Sequence, residues 1–130
     1  MKRNKGFTLI ELIVTMSILA ILSTIAVPRV TGYIDKAKTT KAITIGKQIQ
    51  MAAVWSYSDM GDTFNQTNLL ETIKLATGLQ SINSSSIKSI TSRTVSIEYT
   101  SESKNYLLNI NMNNSTYTIA EGPVNIFSGN

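Results

Sequence analysis

Residues 7–27 read FTLIELIVTMSILAILSTIAV, twenty-one positions with Glu11 as the one charge and neither Gly nor Pro. At 1.5 Å rise per residue, a helix of this length measures about 30 Å, the hydrocarbon thickness of a bilayer. Ahead of it stands MKRNKG, with Lys2, Arg3 and Lys5 and no acidic residue. Positive charges before an apolar helix hold that end on the cytoplasmic side, so the chain from Pro28 onward is expected outside the membrane. Glu11 is the anomaly, because a carboxylate at a bilayer centre costs about 2.5–3.5 kcal/mol and less near the interface. Sequence physics leaves three readings open: a secretory signal peptide cut after Thr24-Ile25-Ala26, a plain single-span anchor, or a helix that uses Glu11. Against the first, the run exceeds the ~7–15 residues of an ordinary signal-peptide apolar region.

Composition removes most catalytic chemistry. The chain has 130 residues, no Cys and no His. Disulfide frameworks, thiolate metal sites, thiol nucleophiles and His-based triads are therefore excluded. Charged residues make up only 15%, against about 25% in an ordinary soluble domain.

The residues Lys5-Gly6-Phe7-Thr8-Leu9-Ile10-Glu11-Leu12, continuing through the apolar run to Pro28, resemble the class III signal of type IV pilins and pseudopilins. That resemblance implies a leader of residues 1–6, cut by a membrane-embedded prepilin peptidase between Gly6 and Phe7. It also implies N-methylation of the new terminus at Phe7. The family's essential glutamate falls on Glu11 and its helix-bending proline on Pro28. In a filament the apolar helices leave the lipid and pack together, where an isolated carboxylate would be a costly unpaired charge. The α-ammonium of a neighbouring subunit's Phe7 would neutralise it, and methylation preserves that charge. Gly6 offers the peptidase a backbone free of side-chain obstruction. Phe7 and Glu11 are thus the expected assembly residues.

Beyond the membrane run, Pro28 sits inside a continuing helical pattern and Gly32 weakens the same turn, so a kink or local melting is expected there. Val30, Ile34, Ala37, Ile45, Ile49, Ala52, Ala53 and Trp55 keep helical spacing, opposite Lys36, Lys38 and Lys47. Residues 7–27 and 28–57 therefore form one helix of about 50 residues, or about 75 Å, apolar all round in its first half and amphipathic in its second. Residues 58–130 form the head. In it, 58–67 reads as a loop, and Asn68-Leu69-Leu70-Glu71 looks like a capping box opening a short helix that ends before Gly78. Residues 81–92 read as a polar loop, and 94–99, 106–112 and 116–120 as three antiparallel strands closed by Glu121-Gly122-Pro123. The expected fold class is α+β: one long N-terminal helix whose amphipathic half covers a small antiparallel meander. With the motif, this resembles the pilin fold.

No cofactor or metal is expected. After Leu70 the only acids are Glu71, Glu98, Glu102 and Glu121, too dispersed for the calcium that some pseudopilins hold. This favours a pilus subunit over a type II secretion pseudopilin. Without Cys, pairing and packing alone must hold the C-terminal tail. Lys36, Lys38, Lys41 and Lys47 form a basic cluster without interleaved aromatics, which reads as a helix surface and not a nucleic-acid platform. Asn65, Asn83 and Asn114 begin Asn-x-Ser/Thr triplets that chance explains in so Asn- and Ser-rich a chain.

The resemblance implies a structural subunit and no enzyme: a single-pass precursor in the cytoplasmic membrane, later an extracellular pilus. Its partners would be copies of itself or related pilins, the prepilin peptidase, and an assembly platform driven by an ATPase. Two alternatives stand beside it, a pseudopilin or minor pilin of a secretion or DNA-uptake machine, and a membrane-anchored or secreted binding protein. The net charge of +4 has a local origin. Three of the twelve basic residues lie in the leader, which leaves nine against eight acids once it is removed. The basic character sets topology and is no argument for nucleic acid.

Overall fold

The computed structural model describes residues 6–130, so Lys2, Arg3 and Lys5 of the expected leader lie outside the described residues. The chain divides into two units, Met1–Ala37 and Lys38–Asn130, and helix α1, Leu9–Asp59, contributes to both. In the first unit α1 is unburied throughout and carries no charge from Leu12 to Pro28. Its assignment continues through Pro28 and Gly32 without interruption, so the local melting expected there is absent. Proline removes only one donor from the ladder, and the neighbouring turns hold the helix on either side. Thr31 also donates from its hydroxyl to the carbonyl of Pro28 at 2.9 Å.

The second unit is an α-helical layer on an antiparallel sheet. It contains the remainder of α1, α2 (Gln66–Thr77), a 3-10 turn at Ser84–Ser86, and strands β1 (Ile87–Ile90), β2 (Thr94–Ser101), β3 (Lys104–Asn111), β4 (Thr116–Glu121) and β5 (Val124–Gly129). The strands pair in chain order as an antiparallel meander. The expected α+β arrangement is present, but the sheet has five strands where three were expected. β1 lies in the stretch read as a loop, and β5 follows the Gly122-Pro123 turn that had been read as the end of the sheet. Gly122 takes φ +58° and lets the chain reverse in two residues, pairing Glu121 with Val124. β1 is four residues long with a register shift, too short for alternation to signal it.

The core follows the strand period. Val95, Ile97 and Tyr99 of β2 stand opposite Ile110, Leu108 and Tyr106 of β3, and Ile119 of β4 stands opposite Leu108. All seven are buried, together with Ala42, Ile49, Ala52 and Ala53 of α1 and Leu69 and Ile73 of α2. Gly46 sets how closely α1 approaches the sheet. A Cβ there would lie 2.6 Å from both Ile119 Cδ1 and the Tyr99 hydroxyl oxygen. That hydroxyl donates to the Ala42 carbonyl at 2.8 Å. Burial pushes the Tyr99 phenol well above its usual pKa, with the nearby Tyr106 adding to the shift, so it stays a donor.

Two local expectations change. Trp55 was grouped with the core-facing residues, yet it is 64% exposed while Ser56 and Tyr57 are buried. Trp55 lies about 200° around the helix from buried Ala53, on the far side from the sheet. Ser56 can sit in the core because its hydroxyl donates to Asn68 Oδ1 at 2.6 Å. That contact also explains why Asn68 is not a cap. The cap of α2 is Asn65, whose side chain accepts from the amides of Thr67 and Asn68, and Gly78 closes the helix in the left-handed region at φ +71°. The C-terminal tail is β5, held by pairing to β4, by Phe127 against Tyr117 with ring centroids 5.7 Å apart, and by Lys47 over the Phe127 ring at 4.3 Å.

Candidate assembly site

The expected site residues begin just ahead of α1. Gly6 and Phe7 are non-helical and exposed, and α1 starts at Leu9. A side chain at Gly6 would meet nothing within 4 Å. The bond expected to be cut therefore lies in irregular chain, not inside the helix.

Thr8 and Glu11 form a reciprocal cap that starts the helix. The Thr8 carbonyl accepts the first intrahelical bond, from the Leu12 amide at 3.2 Å. The Glu11 amide donates to Thr8 Oγ1 at 3.3 Å. In return Glu11 Oε2 accepts from the Thr8 amide at 2.9 Å and from the Thr8 hydroxyl at 2.6 Å. This is the arrangement of a Thr-x-x-Glu capping box, which satisfies donors that a helix start otherwise leaves open. In a membrane those donors have no water to turn to. A carboxylate has about four lone-pair sites, so the two bonds from Thr8 leave it able to accept a cation as well. Sequence reasoning placed Glu11 but passed over Thr8, although the signal, Thr three residues before Glu at the head of an apolar run, was present.

The rest of the segment suits lipid or another apolar helix. No residue of its most apolar window is buried. Leu9, Ile10, Met16, Leu19 and Ile21 are each 62–75% exposed. The hydroxyls are turned back onto the helix. Thr15 donates to the Leu12 carbonyl, Ser17 to Ile13, Ser23 to Leu19 and Thr24 to Ile21, at 2.7–2.8 Å. This internal pairing removes the cost of carrying hydroxyls on an apolar surface.

In the second unit the basic cluster is partly consumed by the fold. Lys41 hydrogen-bonds Glu102 in the β2–β3 turn, where Glu102 and Ser103 both take positive φ. That bond, with the charge of Lys41 behind it, holds the Glu102 carboxyl below its usual pKa. Lys47 is engaged with Phe127. Two of the three Asn-x-Ser/Thr asparagines, Asn65 and Asn83, are cap residues. Asn114 accepts from the Thr116 hydroxyl at 2.6 Å in the β3–β4 turn.

The N-terminal segment is thus an exposed apolar helix, long enough to cross a membrane, that opens on a Thr-x-x-Glu box. Comparison with known proteins bears on the same segment. The family described as the prokaryotic N-terminal methylation motif matches residues 1–27. The chain is 40% identical to a fimbrial protein of Pseudomonas aeruginosa over 53 residues, which cover 41% of this chain and 34% of that protein. It is 41% identical to the type IV major alpha-pilin of Moraxella bovis over 58 residues (42% and 36%), and 46% identical to fimbrial protein Q of Moraxella bovis over 43 residues (33% and 27%). The matched part spans about a third of these relatives' length. No solved structure matches the chain. These similarities support the type IV pilin family, and the helix-on-sheet head has the pilin-like arrangement.

Proposed function

We propose that the chain is the precursor of a structural subunit of an extracellular type IV pilus. It waits in the cytoplasmic membrane as a single span with its N-terminus in the cytoplasm. Prepilin peptidase cuts between Gly6 and Phe7 and methylates the new amine. An ATPase-driven platform then polymerises it through the apolar half of α1 with copies of itself or related pilins. The subunit performs no catalysis and is itself a substrate. The observation that carries this reading is the capping box at the head of an unburied apolar helix that bears the methylation motif. The box holds the Glu11 carboxylate on the Thr8 amide and hydroxyl, one residue from the Phe7 that cleavage would make the terminus. In a filament the Phe7 ammonium of a neighbour would meet that carboxylate, giving a buried pair that sets axial register more than stability.

N-terminal mass spectrometry of the mature chain is the test. A start at Phe7 bearing one extra methyl group is the expected result. A start at Val27 would return the chain to the signal-peptide reading, and an intact Met1 would make it a plain anchored protein.

A further inference from the structure

Strand β1 pairs with β2 at Val95, Ser96 and Ile97 and reaches no further. Beyond that point Glu98, Tyr99 and Thr100 face the turn segment 81–86 across a cavity of about 230 Å³. Buried Ile82 and Tyr99 contribute to its lining, and every other lining residue is polar. The amides and hydroxyls are fixed by the fold. Asn83 Oδ1 accepts from the Ser85 amide at 2.9 Å and the Ser85 hydroxyl at 2.6 Å, and the Asn83 amide donates to Ser86 Oγ at 3.2 Å. On the strand side, Asn105 Oδ1 accepts from the Thr100 hydroxyl at 3.0 Å. Both carboxamide oxygens are therefore engaged, while neither nitrogen bonds a described residue. Each nitrogen keeps two donors for a guest.

The charges in the lining cancel. Lys88 Nζ lies 2.5 Å from Glu98 Oε2, so an anionic or cationic guest would have to displace an existing partner. A neutral guest leaves that pair intact. Mixed donors and acceptors beside two buried, partly apolar residues suit a molecule with hydroxyls round its rim and C–H groups on its faces. The volume is below the about 300–1,000 Å³ of pockets for drug-sized ligands, which limits the guest to about one ring. We propose that this cavity binds one uncharged sugar ring, with Asn83 and Asn105 donating to its hydroxyls. An extended peptide adding to the edge of β2 would find only Glu98 to Ser101 open. The site lies wholly within the head, so it depends on neither processing nor polymerisation.

Saturation-transfer difference NMR on the full-length chain, in a detergent without a sugar headgroup, tests this. The probes are the methyl glycosides of glucose, galactose and N-acetylglucosamine, with N-acetylneuraminic acid and glucosamine as charged comparisons. At about 10 mM at least one neutral glycoside should take up saturation, since a ligand of about a dozen heavy atoms reaches affinities on the order of 1 mM. The charged sugars should take up several-fold less. Asn105→Asp keeps the acceptor for Thr100 and deletes the nitrogen donors, so the signal should fall about fivefold or more with circular dichroism unchanged. Asn114→Asp makes the same change in the β3–β4 turn, where Asn114 accepts from the Thr116 hydroxyl outside the cavity, and should bind as the unaltered chain does. Three results would each overturn the proposal: no uptake by any neutral glycoside, stronger uptake by a charged sugar or by a blocked tetra-alanine peptide, or equal signals from the two variants. The comparison of neutral with charged probes uses the unaltered chain, so it decides even where a variant fails to fold.

Discussion

Gly46→Ala isolates the contact that joins helix to sheet. In an exposed helix the change should stabilise by about 1 kcal/mol, since glycine is the poorer helix former. At position 46 the new methyl would stand 2.6 Å from Ile119 Cδ1 and from the Tyr99 hydroxyl oxygen, and 3.2 Å from Ile119 Cγ1. Ile119 is fully buried and Tyr99 is 4% exposed, so neither can turn aside into solvent. Overpacking of this kind costs about 1–3 kcal/mol. Displacing the tyrosine breaks its 2.8 Å bond to Ala42 and leaves buried polar groups unpaired, about 1–3 kcal/mol more. The net expectation is a loss of about 1–5 kcal/mol once the propensity gain is set against these terms. Urea unfolding of the detergent-solubilised chain, followed by far-ultraviolet circular dichroism, measures it. Gly32→Ala is the control, because a side chain there meets nothing within 4 Å, and it should be neutral or stabilising. Gly46→Ala combined with Ile119→Val removes the clashing Cδ1 and should recover part of the loss, an interaction visible in the double-mutant cycle. A Gly46→Ala chain as stable as Gly32→Ala would refute the close-approach argument.

Three shorter predictions follow from the same geometry. Glu11→Ala should still insert and be cut after Gly6, yet give few or no filaments by electron microscopy; normal filaments would remove the assembly role of the carboxylate. Thr8→Val deletes the hydroxyl bonds but keeps the amide bond to Glu11, and should reduce filament yield less than Glu11→Ala in the same assay, with equal losses arguing against the box as a positioning device. For Glu102, whose pKa is depressed by Lys41, the stabilising contribution is present above the ordinary carboxyl range and lost as pH falls through the lowered value. Head stability should therefore decline on acidification, and Glu102→Gln should flatten that part of the pH profile; an unchanged profile would show that the pair contributes nothing measurable.

Periodicity carried the reading wherever a face is repeated over many residues. The alternation of 94–99 and 106–112 marked both as half-buried strands, because such a strand repeats every two residues, and their alternate residues Val95, Ile97, Tyr99, Leu108 and Ile110 are buried. It failed on β1 and β5, short edge strands whose existence depends on a neighbour to pair with. It failed on Trp55 because composition marks a large apolar residue as interior, whereas helix rotation alone places it on the far face. The cap of α2 was misplaced by three residues because Asn65 and Asn68 look alike in sequence, and it takes the packing of α1 to bring Ser56 and Asp59 to the Asn68 side chain.

The N-terminal segment was determined by sequence alone, since its physics is local. A twenty-one-residue stretch with a single charge, a flanking basic cluster and a Thr-x-x-Glu start act within one helix and its solvent, and no distant contact is needed to define them. The head was decided by tertiary structure. How near α1 lies to the sheet at Gly46, which lysine meets Glu102, and what holds the tail in place of a disulfide all rest on residues tens of positions apart. Lys41 and Glu102 are 61 residues apart in the chain. Such pairs leave no periodic trace, because each is fixed by the packing of two elements and by neither element alone.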